Sequence, residues 1–178
     1  GFSPGEGQPG VLSPFCGIDA ADTLLPSSSP DDLVASGRGV LLLADGSRFE
    51  GELFGSATIG GGELVFTTGM TGFQESLTDP SFAGQVLTFT WPLLGNYGIS
   101  AGASESAGVW PRGVVCREWI EFPDHRECIG SVHDFLLAHG VPGISSVDTR
   151  ALTKRVREHG VILCQFGPIE MEEEMVKR

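Results

Sequence analysis

Residues 62–90, "GELVFTTGMTGFQESLTDPSFAGQVLTFT", contain two apolar runs on either side of a polar corner. The runs at 63–67 and 85–90 are rich in Val, Phe and Thr, which favour β-strands. Between them, Thr71 and Gln74 have the spacing of a capping box, whose side chains satisfy free amides at the start of a helix. The stretch therefore predicts a strand, a short helix and a second strand.

The end of the predicted helix carries a turn signal. Pro80 fixes its own φ, and the Asp79 side chain can accept hydrogen bonds from the backbone that follows. Ser81 comes next, and its hydroxyl is not needed as a cap in this arrangement. The turn alone explains Asp79 and Pro80. The residues by themselves do not decide whether Ser81 has a structural or a functional role.

The chain before this stretch predicts a β-hairpin at 39–55, "GVLLLADGSRFEGELFG". Asp45 and Gly46 readily supply the positive φ angles of a two-residue hairpin turn. A further strand is expected at 113–116, "GVVC". Three Gly- or Pro-containing segments predict the turns between strands: "GGG" at 60–62, "DPS" at 79–81 and "GNYG" at 95–98.

The last third of the chain carries helix signals. Ser131 is a predicted N-cap, with Asp134 at the third helical position and Gly140 at the end. Asp148 predicts a second N-cap, for a helix that Gly160 ends. The segments between and after these helices predict two strands and an acidic helix start, at 143–147, 161–166 and 168–178.

The order of these elements predicts one α/β domain with both antiparallel and parallel strand pairing, because a β-rich first half precedes an αβαβ second half. A chain of 178 residues is long enough for one domain with its own core. Residues 1–38 are rich in Gly, Pro and Ser and show no sustained period, so they predict a flexible or loosely packed arm.

The charge of the chain limits its partners. Its 23 acidic and 11 basic residues give a net charge of −12, which argues against a nucleic-acid or anionic-membrane surface. No apolar run approaches the roughly 18 residues of a membrane helix, so a soluble protein is expected. The start of the chain shows neither a signal-peptide nor a transit-peptide pattern. The four cysteines form no C-x-x-C pair and are expected to be reduced thiols.

The sequence contains no self-contained catalytic motif. The four histidines lack metal-ligand spacing, and each is expected to be an isolated surface residue. No Ser or Cys lies in a nucleophile-elbow pattern, and "GSATIGGG" lacks the Lys of a P-loop. The helix after Asp148 carries four of the eleven basic residues. These are expected to form a solvated face, with docking against an acidic partner as the alternative.

Long motif blocks give the chain a family resemblance. The pieces "LADGSRFEG", "GELVFTTGMTGFQESLTDPSFAGQVLTFTWPLLGNYG", "GVV" and "VPGISSVDTRALTKRVREHG" occur in the order found in the small, glutamine-hydrolysing subunit of carbamoyl-phosphate synthetase. The chain therefore resembles the N-terminal domain of that subunit from Gly39 to about Phe166. The resemblance implies a three-layer β/β/α swivelling fold with mixed parallel and antiparallel sheets. It places 167–178 as a linker, or the start of a helix, toward a glutaminase domain.

The same resemblance implies a role for each candidate residue. Ser81 corresponds to the residue of this domain that contacts glutamine, where its hydroxyl would orient the substrate. Gly69 and Met70 would lie in a loop near the path of ammonia. The resemblance places no catalytic residue, cofactor or metal in this chain, since the family's catalytic Cys, His and Glu belong to the glutaminase domain.

The partners implied are the large subunit, which uses ATP, Mg²⁺ and bicarbonate to make carbamoyl phosphate, and the glutaminase domain with its glutamine. A cytoplasmic heterodimer serving arginine and pyrimidine biosynthesis is expected, without nucleic acid or membrane. Two alternatives stay open: a non-catalytic binding module that keeps the fold, and, with less support, an isolated hydrolase.

Overall fold

The structure is a computed structural model that describes residues 37–176. The strands are β1 Arg38–Leu43, β2 Arg48–Gly55, β3 Gly60–Thr67, β4 Gln85–Phe89, β5 Leu93–Leu94, β6 Gly113–Val115, β7 Glu118–Trp119, β8 Pro142–Ser145 and β9 Leu163–Pro168. The helices are α1 Phe73–Thr78, α2 Val132–Ala138, α3 Thr149–His159 and α4 Glu172–Val176. Strands predominate up to β7, with one short helix after β3, and helices and strands alternate from there on. Residues 1–36, which hold nearly all of the expected arm, lie outside the described part, and Arg38 already belongs to β1.

Seven strands form one closed sheet in the order β1-β2-β8-β6-β4-β3-β9, and β5 pairs with β7 in a separate small sheet. The neighbouring strands β3, β4, β6 and β8 are parallel to one another. The remaining strands β2, β1 and β9 close the ring through antiparallel pairs. The α/β class and the mixed pairing predicted from the sequence are confirmed. Closure into a barrel is an additional feature of the main sheet.

The parallel strands β4, β6 and β8 are almost entirely buried on both faces, as parallel strands usually are. Along β4, Val86 belongs to one apolar cluster and Leu87 to another, because successive side chains point to opposite faces. The cluster with Leu87 includes Phe73 of α1 and Leu136 of α2. The cluster with Val86 includes Leu152 of α3. The two clusters therefore fix the helices against opposite faces of the sheet.

Two turns predicted from glycine need correction. The "GGG" segment at 60–62 lies inside β3, where a Cβ on Gly60 would collide with the ring of Phe166. Glycine is needed there for close packing and not for a turn. The hairpin between β1 and β2 is confirmed, but its loop has three residues, since the backbone N–H of Leu43 donates to the carbonyl of Ser47. Among the loop residues, Gly46 alone has positive φ.

The caps of the two longer helices are confirmed. The Ser131 hydroxyl accepts from the backbone N–H of Asp134 at 3.1 Å, and α2 ends just before Gly140. The Asp148 carboxylate accepts from the N–H of Ala151 at 3.0 Å, and Gly160 follows α3 with φ of 75°. These ends are formed by residues that lie next to the helix in sequence.

The basic residues of α3 contact several neighbours. Arg155 forms an ion pair with Asp45 of the hairpin loop at 3.0 Å. Lys154 lies 3.8 Å from Glu158, one turn further along the helix. The guanidinium of Arg157 lies over the ring of Phe66. In the part of the chain that the structure describes, no helix is long and apolar enough to cross a membrane.

Candidate functional site

The start of α1 differs from the capping box that the sequence predicts. Gly72 occupies the N-cap position with φ of 78°, and Thr71 is exposed outside the helix. The free amides of Gly72 and Phe73 instead donate to the hydroxyl of Tyr97, at 2.8 and 3.3 Å. The cap therefore comes from a residue more than twenty positions away, because the left-handed backbone at Gly72 places the helix start one residue later than expected.

The Gln74 side chain does not cap the helix but hydrogen-bonds to the loop 95–112 and so joins α1 to that loop. Gln74 is 1% exposed. Its amide nitrogen donates to the Ser100 carbonyl at 2.8 Å and to the Ser104 hydroxyl at 2.9 Å. Its amide oxygen accepts from the Ser100 backbone N–H at 2.9 Å. All of the amide group is thus paired with the loop, which is what a buried amide requires.

The other end of α1 is tied to the same loop. The buried hydroxyl of Thr78 accepts from the backbone N–H of Glu105 at 2.8 Å, and the Thr78 carbonyl accepts from the Ser106 hydroxyl at 2.7 Å. The indole N–H of Trp110 donates in turn to Ser106 at 2.7 Å. We call α1 and the residues 79–84 that follow it the α1 corner. The loop 95–112 holds this corner from both ends of the helix.

The turn of the α1 corner presents Ser81 to solvent. The Asp79 carboxylate accepts from the backbone N–H of Ser81 at 2.8 Å, and Pro80–Phe82 forms one 3₁₀ turn. Hydrogen bonds from the Ser81 backbone and then from its hydroxyl hold the pKa of Asp79 below its ordinary value. The turn predicted from Asp79 and Pro80 is confirmed. Ser81 itself is exposed on a backbone that these bonds fix.

Gly69 and Met70 lie in the loop between β3 and α1, at the other end of the strand pair from Ser81. The parallel register runs from Glu63 beside Gln85 to Thr67 beside Phe89. Four strand residues, about 13 Å at 3.3 Å per residue, therefore separate the two ends. Met70 is 64% exposed. The structure does not bring the loop and the Ser81 turn together into one site.

A groove of about 1160 Å³ adjoins the α1 corner. Trp110 and Arg112 line it. The carbonyl of Trp110 accepts from the N–H of Gly84 at 3.4 Å, and the N–H of Arg112 donates to the carbonyl of Gln85 at the start of β4 at 2.8 Å. Gly61 and Gly62 line the same groove from β3. Sequence reasoning missed this groove, since its walls come from distant segments and no local pattern marks it.

The buried thiols of Cys116 and Cys164 are unsuited to nucleophilic attack. Cys116, Cys128 and Cys164 are free thiols, and Cys16 lies outside the described part. Burial raises the pKa of Cys164 to about 12 and raises that of Cys116 as well, with the charge of Glu118 adding to the second shift. Such thiols stay protonated at neutral pH.

The histidines differ from the expectation at one position. His125, His139 and His159 are exposed, but His133 is half buried. Its Nδ1 accepts from the backbone N–H of Gly55 at 3.0 Å, and its ring stacks on Trp119 at 5.3 Å. Within residues 37–176 no three His, Cys, Asp or Glu residues cluster so as to hold a metal ion.

Comparison with known proteins gives one consistent family. Residues 41–166 match the family described as carbamoyl-phosphate synthase small chain, CPSase domain. A carbamoyl phosphate synthase small chain of Streptococcus agalactiae serotype III is 53% identical over 123 residues, which are 69% of this chain and 34% of that protein. The small chain of Pyrobaculum aerophilum is 48% identical over 126 residues, 71% of this chain and 36% of that protein. The chain thus spans about a third of the length of these relatives.

The fold and the corner define an α/β domain with a mixed closed sheet, in which a strand–helix–strand unit carries an exposed serine turn. The family match runs from within β1 into β9 and covers well over half of the chain. The chain therefore belongs to the family of the carbamoyl-phosphate synthase small chain, in the region described as its CPSase domain. The resemblance inferred from the motif blocks is confirmed.

Proposed function

We propose that this chain is the N-terminal domain of the small subunit of a glutamine-dependent carbamoyl-phosphate synthetase, a ligase. The family match over 41–166 carries the proposal, and the names of the relatives agree with it. In this function the domain docks the large subunit, which binds ATP, Mg²⁺ and bicarbonate. It also contributes to the glutamine site of a glutaminase domain that supplies ammonia, within a cytoplasmic heterodimer serving arginine and pyrimidine biosynthesis.

Ser81 is the proposed contact with glutamine. Three features support it: the hydroxyl is exposed, its backbone is fixed by Asp79, and the α1 corner is held by the buried amide of Gln74. A hydroxyl on a rigid turn can orient a substrate bound to a neighbouring domain without entering the covalent chemistry. The groove beside the corner offers a surface against which such a domain could pack.

Gly69 and Met70 are proposed to lie near the ammonia path. Small and apolar groups suit a passage for neutral ammonia, because charged walls favour ammonium. The Met70 side chain is exposed and available to a neighbouring domain. Since this loop lies at the opposite end of the strand pair from Ser81, the two would face different parts of the assembled enzyme.

The test of Ser81 uses a complete small subunit that contains this domain, assembled with its large subunit. Ser81→Ala removes one neutral hydrogen bond, worth roughly 0.5 to 1.5 kcal/mol, and should raise the KM for glutamine about 2- to 13-fold. Synthesis from free ammonia should stay close to wild type. Thr71→Ala is the matched control, because it removes an exposed hydroxyl from the other side of α1. An unchanged KM for glutamine in the Ser81 variant removes Ser81 from the site.

A non-catalytic binding module is the second candidate function. It is favoured by the chemistry of the described residues, in which the thiols of Cys116 and Cys164 are buried with raised pKa values and no three His, Cys, Asp or Glu residues cluster so as to hold a metal ion. Both candidates require a complex with a partner. Co-purification of a complete small subunit that contains this domain with a large subunit, followed by an assay of glutamine-dependent synthesis, separates them: complex with activity supports the enzyme, and complex without activity supports the binding module. The isolated chain is expected to show no glutaminase turnover.

A further inference from the structure

A pocket of about 550 Å³ lies between β2, β7 and the start of α2, and none of its lining residues belongs to the α1 corner or to the Gly69–Met70 loop. Four of its eleven lining residues carry aromatic rings, Phe54, Trp119, Phe122 and His133, and Phe54 is fully buried. The Trp119 ring stacks at 5.3 Å from the ring of Phe54 and at 5.3 Å from that of His133. Phe122 lines the same pocket and is 83% exposed. We call this the Trp119 pocket.

The rim of the Trp119 pocket is negatively charged. Glu52, Glu121 and Asp134 line it, and all three are exposed. Among the described residues neither Glu52 nor Glu121 has an ion-pair partner. Arg38 also lines the pocket, but its guanidinium is paired with Glu50. The carboxylates therefore outweigh the one cation at this surface.

The His133 ring is held in place by a backbone hydrogen bond, because its Nδ1 accepts from the N–H of Gly55 at 3.0 Å. The hydrogen bond fixes the plane of the imidazole, which in turn supports the Trp119 ring. The aromatic wall is therefore ordered before any partner arrives, and the cost of ordering it on binding is small.

We propose that the Trp119 pocket is a docking site for an arginine side chain in an exposed segment of a protein partner. Aromatic rings attract a guanidinium through their faces, and its planar shape lets it stack where an ammonium cannot. The carboxylates at the rim supply the complementary charge. This site goes beyond the glutamine and ammonia roles of the proposed function, because no residue of the α1 corner or of the Gly69–Met70 loop lines it.

Charge favours an arginine side chain of a partner over two other occupants, the chain's own residues 1–36 and a second copy of the chain. Residues 1–36 of the chain precede the pocket residue Gly37, but they contain five carboxylates and neither Lys nor Arg. A second copy carries a net charge of −12, and two of its basic side chains on α3 are already paired with acids. An arginine segment of another protein matches the pocket better than either.

The test titrates the ¹⁵N-labelled chain with the peptide acetyl-Ala-Leu-Arg-Leu-Ala-amide and follows the backbone and indole N–H signals. Shifts should be saturable and centred on the Trp119 indole and the Gly55 amide. A peptide with citrulline in place of arginine keeps the shape and loses the charge, and it should bind at least about fivefold more weakly. The double variant Glu52→Gln/Glu121→Gln should weaken the arginine peptide about fivefold, as expected for two exposed charge pairs.

The matched control is Glu173→Gln/Glu174→Gln, which removes the same charge from the exposed face of α4 and should leave binding unchanged. Equal binding of the citrulline peptide, shifts centred elsewhere, or no saturable shift overturns the proposal. Pocket signals that change with protein concentration assign the pocket to a second copy. Nuclear Overhauser contacts with residues 1–36 assign it to the chain's own leading segment. Either result also overturns it. None of these measurements depends on glutamine or on a large subunit.

Discussion

The helices α1 and α3 begin in different ways. At α3 the cap is Asp148, which lies directly before the helix and accepts from the N–H of Ala151. At α1 no side chain from the flanking residues caps the first turn, and the free amides of Gly72 and Phe73 reach the hydroxyl of Tyr97. The first arrangement is local in sequence. The second depends on a loop that the chain reaches only after two more strands, β4 and β5.

This difference determines how well the two helices could stand alone. A helix of six residues is far too short to be stable by itself. The 11 residues of α3 are also marginal in isolation, but they carry their own cap and an i,i+4 ion pair. The position of α1, and of the Ser81 turn behind it, therefore depends on the loop 95–112. Substitutions that remove the hydrogen bonds between this loop and α1 should therefore lower the free energy of unfolding by more than the removal of a local cap does.

The largest effect is expected for Gln74→Ala. The change leaves a cavity at a side chain that is 1% exposed and removes the partner of the half-buried Ser100 amide. The free energy of unfolding should fall by about 3 kcal/mol, combining the two losses. Urea denaturation measures it. Ser76→Ala is the control on the same helix, because its hydroxyl bonds only to the Gly72 carbonyl one turn back, and it should stay within about 0.5 kcal/mol. A loss below about 1 kcal/mol for Gln74→Ala would contradict the dependence on the loop.

Tyr97→Phe should have the next largest effect, a loss of about 1.5 kcal/mol. The variant keeps the ring, which packs 4.8 Å from the ring of Phe73, and removes only the acceptor of two amides. Faster hydrogen exchange should be confined to the Gly72 and Phe73 amides, with the Asp134 amide of α2 as the internal reference. Equal protection of those two amides in both proteins would mean that the distant cap contributes nothing.

Asp148→Ala tests the local cap of α3. Loss of an N-cap carboxylate costs about 1 kcal/mol, so this variant should be milder than either change at α1. Asp148→Asn keeps an acceptor oxygen and should recover most of the loss. Thermal unfolding of the three proteins gives the order directly. An Asn variant as unstable as the Ala variant would show that the carboxylate acts through its charge and not as a cap.

The same contrast explains what the sequence could predict. The strands of the main sheet, the caps at Ser131 and Asp148, and the turn at Asp79 depend on residues within a few positions of one another, and these predictions are confirmed. The short strands β5 and β7 are not predicted. The predicted capping box at Thr71 and Gln74 is wrong. The Gln74 side chain hydrogen-bonds to the loop 95–112, and no local sequence pattern links Gln74 to that loop.

The candidate site shows the same limit. Motif blocks singled out Ser81, Gly69 and Met70, but their separation follows from the parallel register of β3 and β4, which the local patterns do not reveal. His133 reads as an isolated surface residue in the sequence, and only the fold places it against Trp119. Long-range partners account for both the wrong cap and the missed pocket.

The smallest expected effect concerns Asp79, whose carboxylate forms the local cap that follows α1. Its pKa is lowered in the folded chain, first by the backbone N–H of Ser81 and then by the Ser81 hydroxyl. Because the folded value lies below the unfolded one, the contribution to stability is fully present above the unfolded pKa and is lost as pH falls through the folded value. NMR titration of the side-chain carboxyl carbon should show Asp79 titrating below its ordinary value. Ser81→Ala should raise this pKa only part of the way, since the backbone donor remains. A full return to the ordinary value would mean that the substitution opens the turn, whereas no change would mean that the hydroxyl does not bond to Asp79 and is free to face a ligand.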